Sequence, residues 1–543
     1  MSPLSQADAA DPALPVRWRR PVEGEAPKAH RGWVIGGWRR VEQLFDRPFG
    51  AALNPWRNLG ALGFLLFWLL AVSGIYLYAV LDTSAGGAYA SIDRLSRQQW
   101  YLGGVMRSLH RYAADGFVLV MAAHLLRELL LGHYAAFRRF SWWTGVPLLV
   151  FGFVCAIGGF WLNWDQLGQF SAQATAEWID ALPLLATPLT RNFLSAGAVS
   201  DRLFSLFVFV HLGVPLLLVF GLWFHIQRIS RAAVFPPRAL AFGTIAMLLA
   251  LALAAPVMSH APADLAIEPT TLALDWIALF VHPLGAAIGH GAVWLLVAAL
   301  LAALLLLPWL RTTHAAQAPV AVVNPLSCNG CRRCFDDCPY AAVTMVQHPL
   351  RRSRQLAQVD ADLCASCGIC VGACPSSTPF RSATELVTGI DMPSAPIGEL
   401  RARLQRALGA MNPDAPRFVV FGCDHGAAVS TLAAPDVAVF SLMCTGQLPP
   451  SFIEYALRDG ADGVLITACQ GTGCEFRLGQ RWSEERLDGA REPHLRAQVP
   501  RARLTTAWAD PGQERELAAA LQRLRRQVQH NVATPAVAST VGA

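Results

Sequence analysis

Long apolar runs with almost no charge alternate with short polar loops between residues 59 and 310. A run of about 20 apolar residues crosses the hydrocarbon core of a bilayer as a helix. The pattern predicts six such helices, near 59–80, 105–131, 144–162, 203–226, 239–256 and 289–310. After residue 416 the pattern changes. RFVVFGC (417–423), VAVFSLMC (437–444) and GVLITAC (463–469) read as short strands buried on both faces. SFIEYALRDG (451–460) reads as an amphipathic helix closed by Gly460. Strands alternating with helices predict a small parallel α/β sheet. Cys423, Cys444 and Cys469 would lie at its carboxyl edge, where such sheets place ligands, and Cys474 follows in a Gly-rich loop.

Four histidines interrupt the apolar runs. His110 and His124 are 14 residues apart, and so are His211 and His225. Fourteen helical residues make almost four turns, so each pair shares one face, roughly 21 Å apart along the axis. Two such helices side by side offer a histidine from either side at two levels. That is the geometry of two stacked haems with bis-imidazole ligation. Buried ionisable groups in membranes are costly and mark function, which weighs against four packing histidines. Gly60 and Gly74, and Gly145 and Gly159, repeat the same spacing in the first and third runs. Residues without side chains let a backbone approach a flat macrocycle. The four helices together are expected to form a bundle around two haems.

Composition agrees with a membrane protein. Hydrophobic residues make up 54% of the 543 and charged ones 15%. Arg138 and Arg139, then Arg228, Arg231 and Arg238, lie in loops expected on the cytoplasmic side by the positive-inside rule. The alternate loops carry Asp165, Glu177 and Asp180, then Asp264, Glu268 and Asp275. Six spans would leave both termini in the cytoplasm. The polar N-terminus does not read as a secretory signal. Residues 31–49 mix aromatic and basic side chains (Trp33, Trp38, Arg39, Arg40). They read either as a membrane-surface segment or as a solvated linker. The net charge of +6 carries no nucleic-acid signal.

Twelve of the 13 cysteines lie after residue 327; Cys155 alone sits in a span and reads as a packing residue. The motif C-x2-C-x2-C-x3-C-P occurs at Cys328, Cys331, Cys334 and Cys338, and again at Cys364, Cys367, Cys370 and Cys374. This is the signature of bacterial ferredoxins with two [4Fe-4S] clusters, in which the fourth cysteine of each motif crosses to the other cluster. Cys374 should complete the first cubane and Cys338 the second. The doubled motif with its trailing prolines outweighs zinc. Cys423, Cys444, Cys469 and Cys474 are expected to hold a [2Fe-2S] cluster or a structural zinc.

The expected architecture is therefore multi-domain, an α-helical transmembrane bundle with a ferredoxin-like two-cluster domain and a small α/β iron–sulfur domain. Its parts are a tail and surface segment (1–50), a di-haem four-helix bundle (51–235) and two further transmembrane helices (236–312). A two-[4Fe-4S] domain (320–380), a connector (381–415) with a helix near 397–410, the α/β domain (416–510) and a basic helix with a flexible tail (511–543) follow. The basic helix, 513–529, reads as a docking element or a solvated face.

RSLH (107–110), HLLR (124–127), GFWLNW (159–164) and the glycine pairs resemble the cytochrome b family of quinol-oxidising complexes, over about residues 40–310. The resemblance implies an outer haem between His110 and His211, an inner haem between His124 and His225, and Arg107 and Arg127 facing haem propionates. It also implies a dimer. The family's outer quinol site carries Pro-Glu-Trp-Tyr, where this chain reads LDWI (274–277). Asp275 would take the place of the glutamate as the outer-site acid, with a shorter reach. FGCDHG (421–426), MCTGQ (443–447) and GADGVLITACQGTGCEF (460–476) resemble the delta subunit of methyl-viologen-reducing hydrogenase. That resemblance implies a [2Fe-2S] cluster and a heterodisulfide-reductase-type flavoprotein partner. Gly426 and Glu475 depart from the cysteine and histidine often found there.

No flavin or nicotinamide fingerprint and no hydrolytic constellation is present, so one-electron transfer is the expected chemistry. The expected role is a quinone-linked oxidoreductase subunit of the inner membrane. It would join the quinone pool to a cytoplasmic complex of heterodisulfide-reductase, hydrogenase or formate-dehydrogenase type. The alternative is a membrane anchor and relay without a quinone site of its own.

Overall fold

The computed structural model describes residues 29–134, 138–182, 188–189, 194, 199–227, 234–267, 271–310, 319–361, 363–375 and 386–533. Arg228, Arg231, Glu268 and the tail after 533 lie outside them. The chain forms two compact units, Trp33–His314 and a second beginning at Ala315.

The first unit is all helix. Its elements are α1 (Ala29–Leu53), α2 (Leu59–Val80), α3 (Ala88–Arg97), α4 (Val105–Leu131), α5 (Arg139–Trp161), α6 (Gln166–Asp180), α7 (Asp201–Gln227), α8 (Arg238–Ala254), α9 (Val281–Ile288) and α10 (His290–Leu310). Six of them stand where hydropathy predicts. Of these, α2, α5, α7 and α10 are long and apolar enough to cross a membrane. Helix α4 is as long as α7 but carries Arg107, Arg111, Asp115, Arg127 and Glu128, and α8 has only 17 residues. Leu216 and Phe209 on α7 and Leu295 on α10 are exposed, as lipid-facing positions are. Helix α2 lies along α4 and α5 along α7, around Leu66, Phe67, Leu109, Phe117 and Leu218. The segment 31–49 belongs to a packed helix. Glu42 is buried beneath Arg127, and Asp46 pairs with Arg57 at 2.7 Å, which a solvated linker would not do.

The second unit holds two small antiparallel pairs and one larger sheet. Strand β1 (Val322–Val323) pairs with β4 (Ile390–Asp391), and β2 (Val343–Gln347) with β3 (Gln355–Val359). Strands β5 (Phe418–Cys423), β6 (Val437–Leu442), β7 (Gly463–Ala468) and β8 (Leu504–Trp508) form a parallel sheet in the order β6-β5-β7-β8. All residues of β5 and β7 are buried, as central strands covered on both faces must be. Alternate residues divide between the faces. Val419, Phe421, Val464 and Ile466 pack with α13 (Ile397–Gly409) and α14 (Ser451–Arg458). Phe418, Val420 and Leu465 pack with the last helix, α16 (Glu514–Ala533). Two short helices, α11 (Arg333–Asp337) and α12 (Ile369–Gly372), follow the middle cysteines of the two ferredoxin motifs. Helix α15 (Gly479–Leu487) follows the last cysteine loop.

One face of the helix at 513–529 is packed into the core, while Arg515, Arg523 and Arg526 on its other side are exposed. Leu517, Ala520, Leu521, Leu524 and Val528 form an apolar stripe that covers one face of the sheet. The connector helix is likewise core, through Leu400, Leu404 and Leu408. Strand β8 was not foreseen, because LTTAW is an edge strand with two threonines and lacks the continuous apolar run of its neighbours. Leu524→Ala is expected to destabilise the α/β domain by about 2–5 kcal/mol, the range for a buried leucine. Denaturant unfolding of the soluble unit checks this. A loss below about 0.5 kcal/mol, the surface value, would put α16 outside the core.

Candidate redox sites

Helix α4 carries His110 and His124, α7 carries His211 and His225, and each histidine meets one glycine of the neighbouring helix. A Cβ added at Gly74 would lie 3.1 Å from Cε1 of His110, and one at Gly159 would lie 3.1 Å from Cε1 of His211. At Gly145 the same distance to His225 is 3.1 Å, and at Gly60 it is 3.3 Å to His124. These are tighter than ordinary van der Waals contacts. The glycines of α2 and α5 therefore admit the imidazole edges. The sequence reading had assigned them to the macrocycle alone.

The His110 and His211 rings face one another with centroids 6.4 Å apart. A metal ion bound to one nitrogen of each ring at about 2 Å, with each centroid roughly 1 Å behind its nitrogen, needs about 6 Å. The pair fits an iron between them. For His110, His225 and His211 the Nδ1 atoms have partners that leave Nε2 as the ligand. Ser73 Oγ donates to the Leu69 carbonyl at 2.6 Å, so at 2.9 Å it accepts from Nδ1–H of His110. Thr144 Oγ1 donates to Phe140 O and accepts from His225 in the same way at 3.0 Å. His211 Nδ1–H donates to the Cys155 carbonyl at 3.1 Å. Such partners fix tautomer and ring orientation and raise ligand basicity. The sequence reading missed them, although Ser73 and Thr144 each stand one residue before a histidine-facing glycine.

Arg107 is buried and donates to Ser96 Oγ at 2.7 Å and Asn163 Oδ1 at 3.2 Å. Arg127 pairs with Glu42 at 2.8 Å and Glu128 at 3.0 Å. A guanidinium has five donors, so these partners leave room for a propionate to join. Asp275 pairs with Arg111, and its other oxygen accepts from the backbone N–H groups of Ile277 and Ala278 at 2.9 and 2.6 Å. Arg111 also pairs with Asp115 and lies over the Phe160 ring at 4.7 Å. The charged pair at 111 and 115, next to ligand His110, was the sequence signal for this cluster.

In the second unit the two cysteine motifs fold alike. Gly330 and Arg332 flank Cys331 with φ of 73° and 66°, and Ser366 and Gly368 flank Cys367 with φ of 56° and 72°. Left-handed backbone on both sides of the middle cysteine curls each loop around its centre, at a steric cost for Arg332 and Ser366. Charge interactions group Cys374 with Cys328, Cys331 and Cys334, and Cys338 with Cys364, Cys367 and Cys370. A cavity is lined by all four cysteines of the second set, with Ile369, Val343 and Met392. The buried Ser366 hydroxyl has no partner among the described residues, and a cluster sulfide would accept from it. Burial, together with the other cysteines of its set, pushes the Cys334 thiol up to about 12. A thiol kept in such surroundings binds metal only as thiolate, so loading releases protons.

Cys423 ends β5, Cys469 follows β7, and Cys444 stands two residues after β6, as the strand pattern predicts. All three are buried, and so is Cys474. Cys444 interacts with Cys474, Cys474 with Cys469 and Cys469 with Cys423. These interactions push Cys474 well below the usual thiol range and lower Cys423, while they raise Cys444 and Cys469. Among the described residues, no three His, Cys, Asp or Glu side chains converge closely enough to hold one metal ion. An iron–sulfur cluster spreads its thiolates over several irons. A Cβ at Gly426 would lie 3.1 Å from both Cys469 N and Ala509 O, so a cysteine there would crowd the backbone.

Paired imidazoles among apolar helices and clustered thiols in a soluble unit define a membrane electron-transfer protein. The family model "Cytochrome b/b6/petB" matches residues 44–233, "4Fe-4S dicluster domain" residues 327–378, and "Methyl-viologen-reducing hydrogenase, delta subunit" residues 410–530. The chain is a fusion of a cytochrome b domain, a 4Fe-4S dicluster domain and a hydrogenase delta-subunit domain. Among relatives, cytochrome b of Allochromatium vinosum is 29% identical over 175 residues, 32% of this chain and 42% of that one. Cytochrome b of Rhodospirillum rubrum is 26% identical over 184 residues, 34% of this chain and 45% of that one. The chain spans under half the length of these relatives. A solved structure, "Hyperthermophilic respiratory Complex III", aligns with a TM-score of 0.41 at 20% identity, over 51% of this chain and 82% of that one. The cytochrome b domain implies haem b, and the dicluster domain implies [4Fe-4S] clusters.

Gly74→Leu places a branched side chain where the His110 ring stands, whereas Gly243 in α8 has open space within 4 Å. Gly74→Leu is expected to lower the haem content per polypeptide, and Gly243→Leu to leave it unchanged. The pyridine haemochrome assay on purified protein reads the difference. Equal haem content in both variants would mean that Gly74 does not set the His110 site.

Proposed function

We propose that this chain passes electrons between a soluble flavin or iron–sulfur complex and the membrane quinone pool. The observation that carries the reading is the convergence of Cys423, Cys444, Cys469 and Cys474 at one sheet edge, in a chain whose helices also pair His110 with His211. The four thiols are suited to a [2Fe-2S] cluster, which would exchange electrons with the soluble partner. The match to the hydrogenase delta subunit supports a partner of heterodisulfide-reductase, hydrogenase or formate-dehydrogenase type. Electrons then pass through two cubanes and two haems. His124 and His225 would bind the inner haem, and the arginine-rich loops with Arg138, Arg139 and Arg238 support a cytoplasmic side at that level by the positive-inside rule. Two haem levels roughly 21 Å apart along the helices make the electron flow sensitive to membrane potential, at about 2.3 kcal/mol per charge per 100 mV.

Asp275 is the candidate acid of an outer quinone site. Its pairing with Arg111 and two backbone N–H groups favours a second reading, a relay and membrane anchor with no quinone site of its own.

Quinol added to anaerobic membranes is expected to reduce both haems, with reduction of the clusters following. Stopped-flow visible spectra and freeze-quench EPR read these steps. Asp275→Asn should slow outer-haem reduction by about tenfold or more, in the range for loss of a positioned acid–base group, and leave the haem spectra intact. Haems that quinol never reduces, and whose spectra no quinone analogue shifts, would establish the relay reading.

A further inference from the structure

Arg486, on α15, is a buried cation that the proposed electron path does not yet use. Its side chain is 1% exposed. Nη1 donates to the Gly446 carbonyl at 2.8 Å, two residues after Cys444. Nη2 donates to Asp337 Oδ2 at 2.6 Å, next to Cys338, and to the Ile369 carbonyl at 3.4 Å, next to Cys370. One guanidinium therefore ties three cysteine-bearing loops from two domains. Its Nε is buried and has no partner among the described residues.

The surrounding contacts bring the two backbones together. A Cβ at Gly372 would lie 2.1 Å from the Gly446 carbonyl, and one at Gly368 would lie 2.9 Å from the Gln447 side chain. A Cβ at Gly479 would lie 2.1 Å from the Cys444 sulfur. The Trp482 indole donates to the Asp337 carbonyl at 3.0 Å, and Arg491 closes the other oxygen of Asp337 at 2.7 Å. The Gly372 and Gly368 contacts join the Cys444 loop to the loop of Cys367 and Cys370, while Trp482 and Arg491 tie α15 and the segment after it to Asp337, next to Cys338. Asp337 also ends α11, which carries Cys334, while the charge interaction of Cys444 with the ferredoxin motifs is with Cys367 of the second set.

We propose that Arg486 is the positioning residue for electron transfer within the soluble unit. It sets the cluster of the α/β domain directly against the cubane of Cys338, Cys364, Cys367 and Cys370, which makes that cubane its redox neighbour. The proposal rests on the reading that Cys423, Cys444, Cys469 and Cys474 hold an iron–sulfur cluster. A buried positive charge beside both clusters also stabilises their reduced, more negative forms. The fork geometry holds the spacing, and the charge raises the potentials.

The test uses the full purified chain, with iron and sulfide assayed and each cluster titrated by EPR. In the wild type we expect three cluster signals, with magnetic coupling between the α/β cluster and one cubane. Arg486→Gln with unchanged iron should lower the midpoint potentials of those two clusters, abolish their coupling, and slow transfer between them by about tenfold or more. The other cubane should keep its potential. Arg486→Lys should recover the potentials but not the coupling, and it decides the matter if Arg486→Gln loses iron. Unchanged potentials and coupling, or a shift confined to the cubane of Cys328, Cys331 and Cys334, would overturn the role of Arg486 alone. A wild-type chain with iron for only two clusters would overturn both that role and the reading beneath it.

Discussion

The helical unit depends on one packing constraint, an imidazole on one helix set against a glycine on the next. Each histidine must reach into the bundle, keep Nε2 free, and find a partner for Nδ1 in a region without water. The glycine meets the first need, because its missing side chain lets α2 and α5 come close enough for the ring edge to lie against bare backbone. Close approach then brings the second partner within reach. Ser73 and Thr144 adjoin Gly74 and Gly145, and a carbonyl of α5 serves His211. The glycine sets the helix separation, and the separation sets the hydrogen bond.

The soluble unit meets the same demand by different means. Its cysteines come mostly from single loops, where left-handed residues on both sides of Cys331 and Cys367 curl the chain locally. Only the fourth cysteine of each set arrives from a distance. The α/β domain is intermediate, since its strands are parallel and in register and so bring three sequence-distant cysteines to one edge. Local loops need little from the fold, whereas the helix-borne histidines need the whole bundle. Haem sites are therefore more exposed than the cubanes to changes in helix packing.

These differences decide what was legible in the sequence. A 14-residue period marks a helix face, so the histidines and their glycines could be read as pairs. The ferredoxin motif is a local loop and carries its own signature. Continuous apolar runs gave β5, β6 and β7, and with them the three cysteines at the sheet edge. The elements missed were those whose role depends on contacts with distant residues. Helix α16 shows arginines at 523, 525 and 526, while its apolar stripe matters only once a sheet lies beneath it. Arg111 and Asp275 are 164 positions apart and pair only through the fold. Arg486 stands in an ordinary amphipathic helix, and nothing local distinguishes it from the exposed Arg481 one turn earlier.

Arg111 and Arg486 address one physical problem at two places. Arg486 is buried and Arg111 partly buried, each beside candidate redox ligands, and each is held by a carboxylate near them in space or in sequence. A cofactor that gains an electron gains negative charge in a low-dielectric site, where an uncompensated charge is costly. A fixed cation nearby lowers that cost without having to move. Its carboxylate partner limits the effect by neutralising part of the cation's field. The pairing thereby sets an intermediate value, and a change in the carboxylate's protonation or position alters the potential felt by the cofactor. At Arg111 the partner is Asp275, the candidate proton acceptor of the outer site. Asp115 pairs with Arg111 as well, so two carboxylates share its charge beside His110.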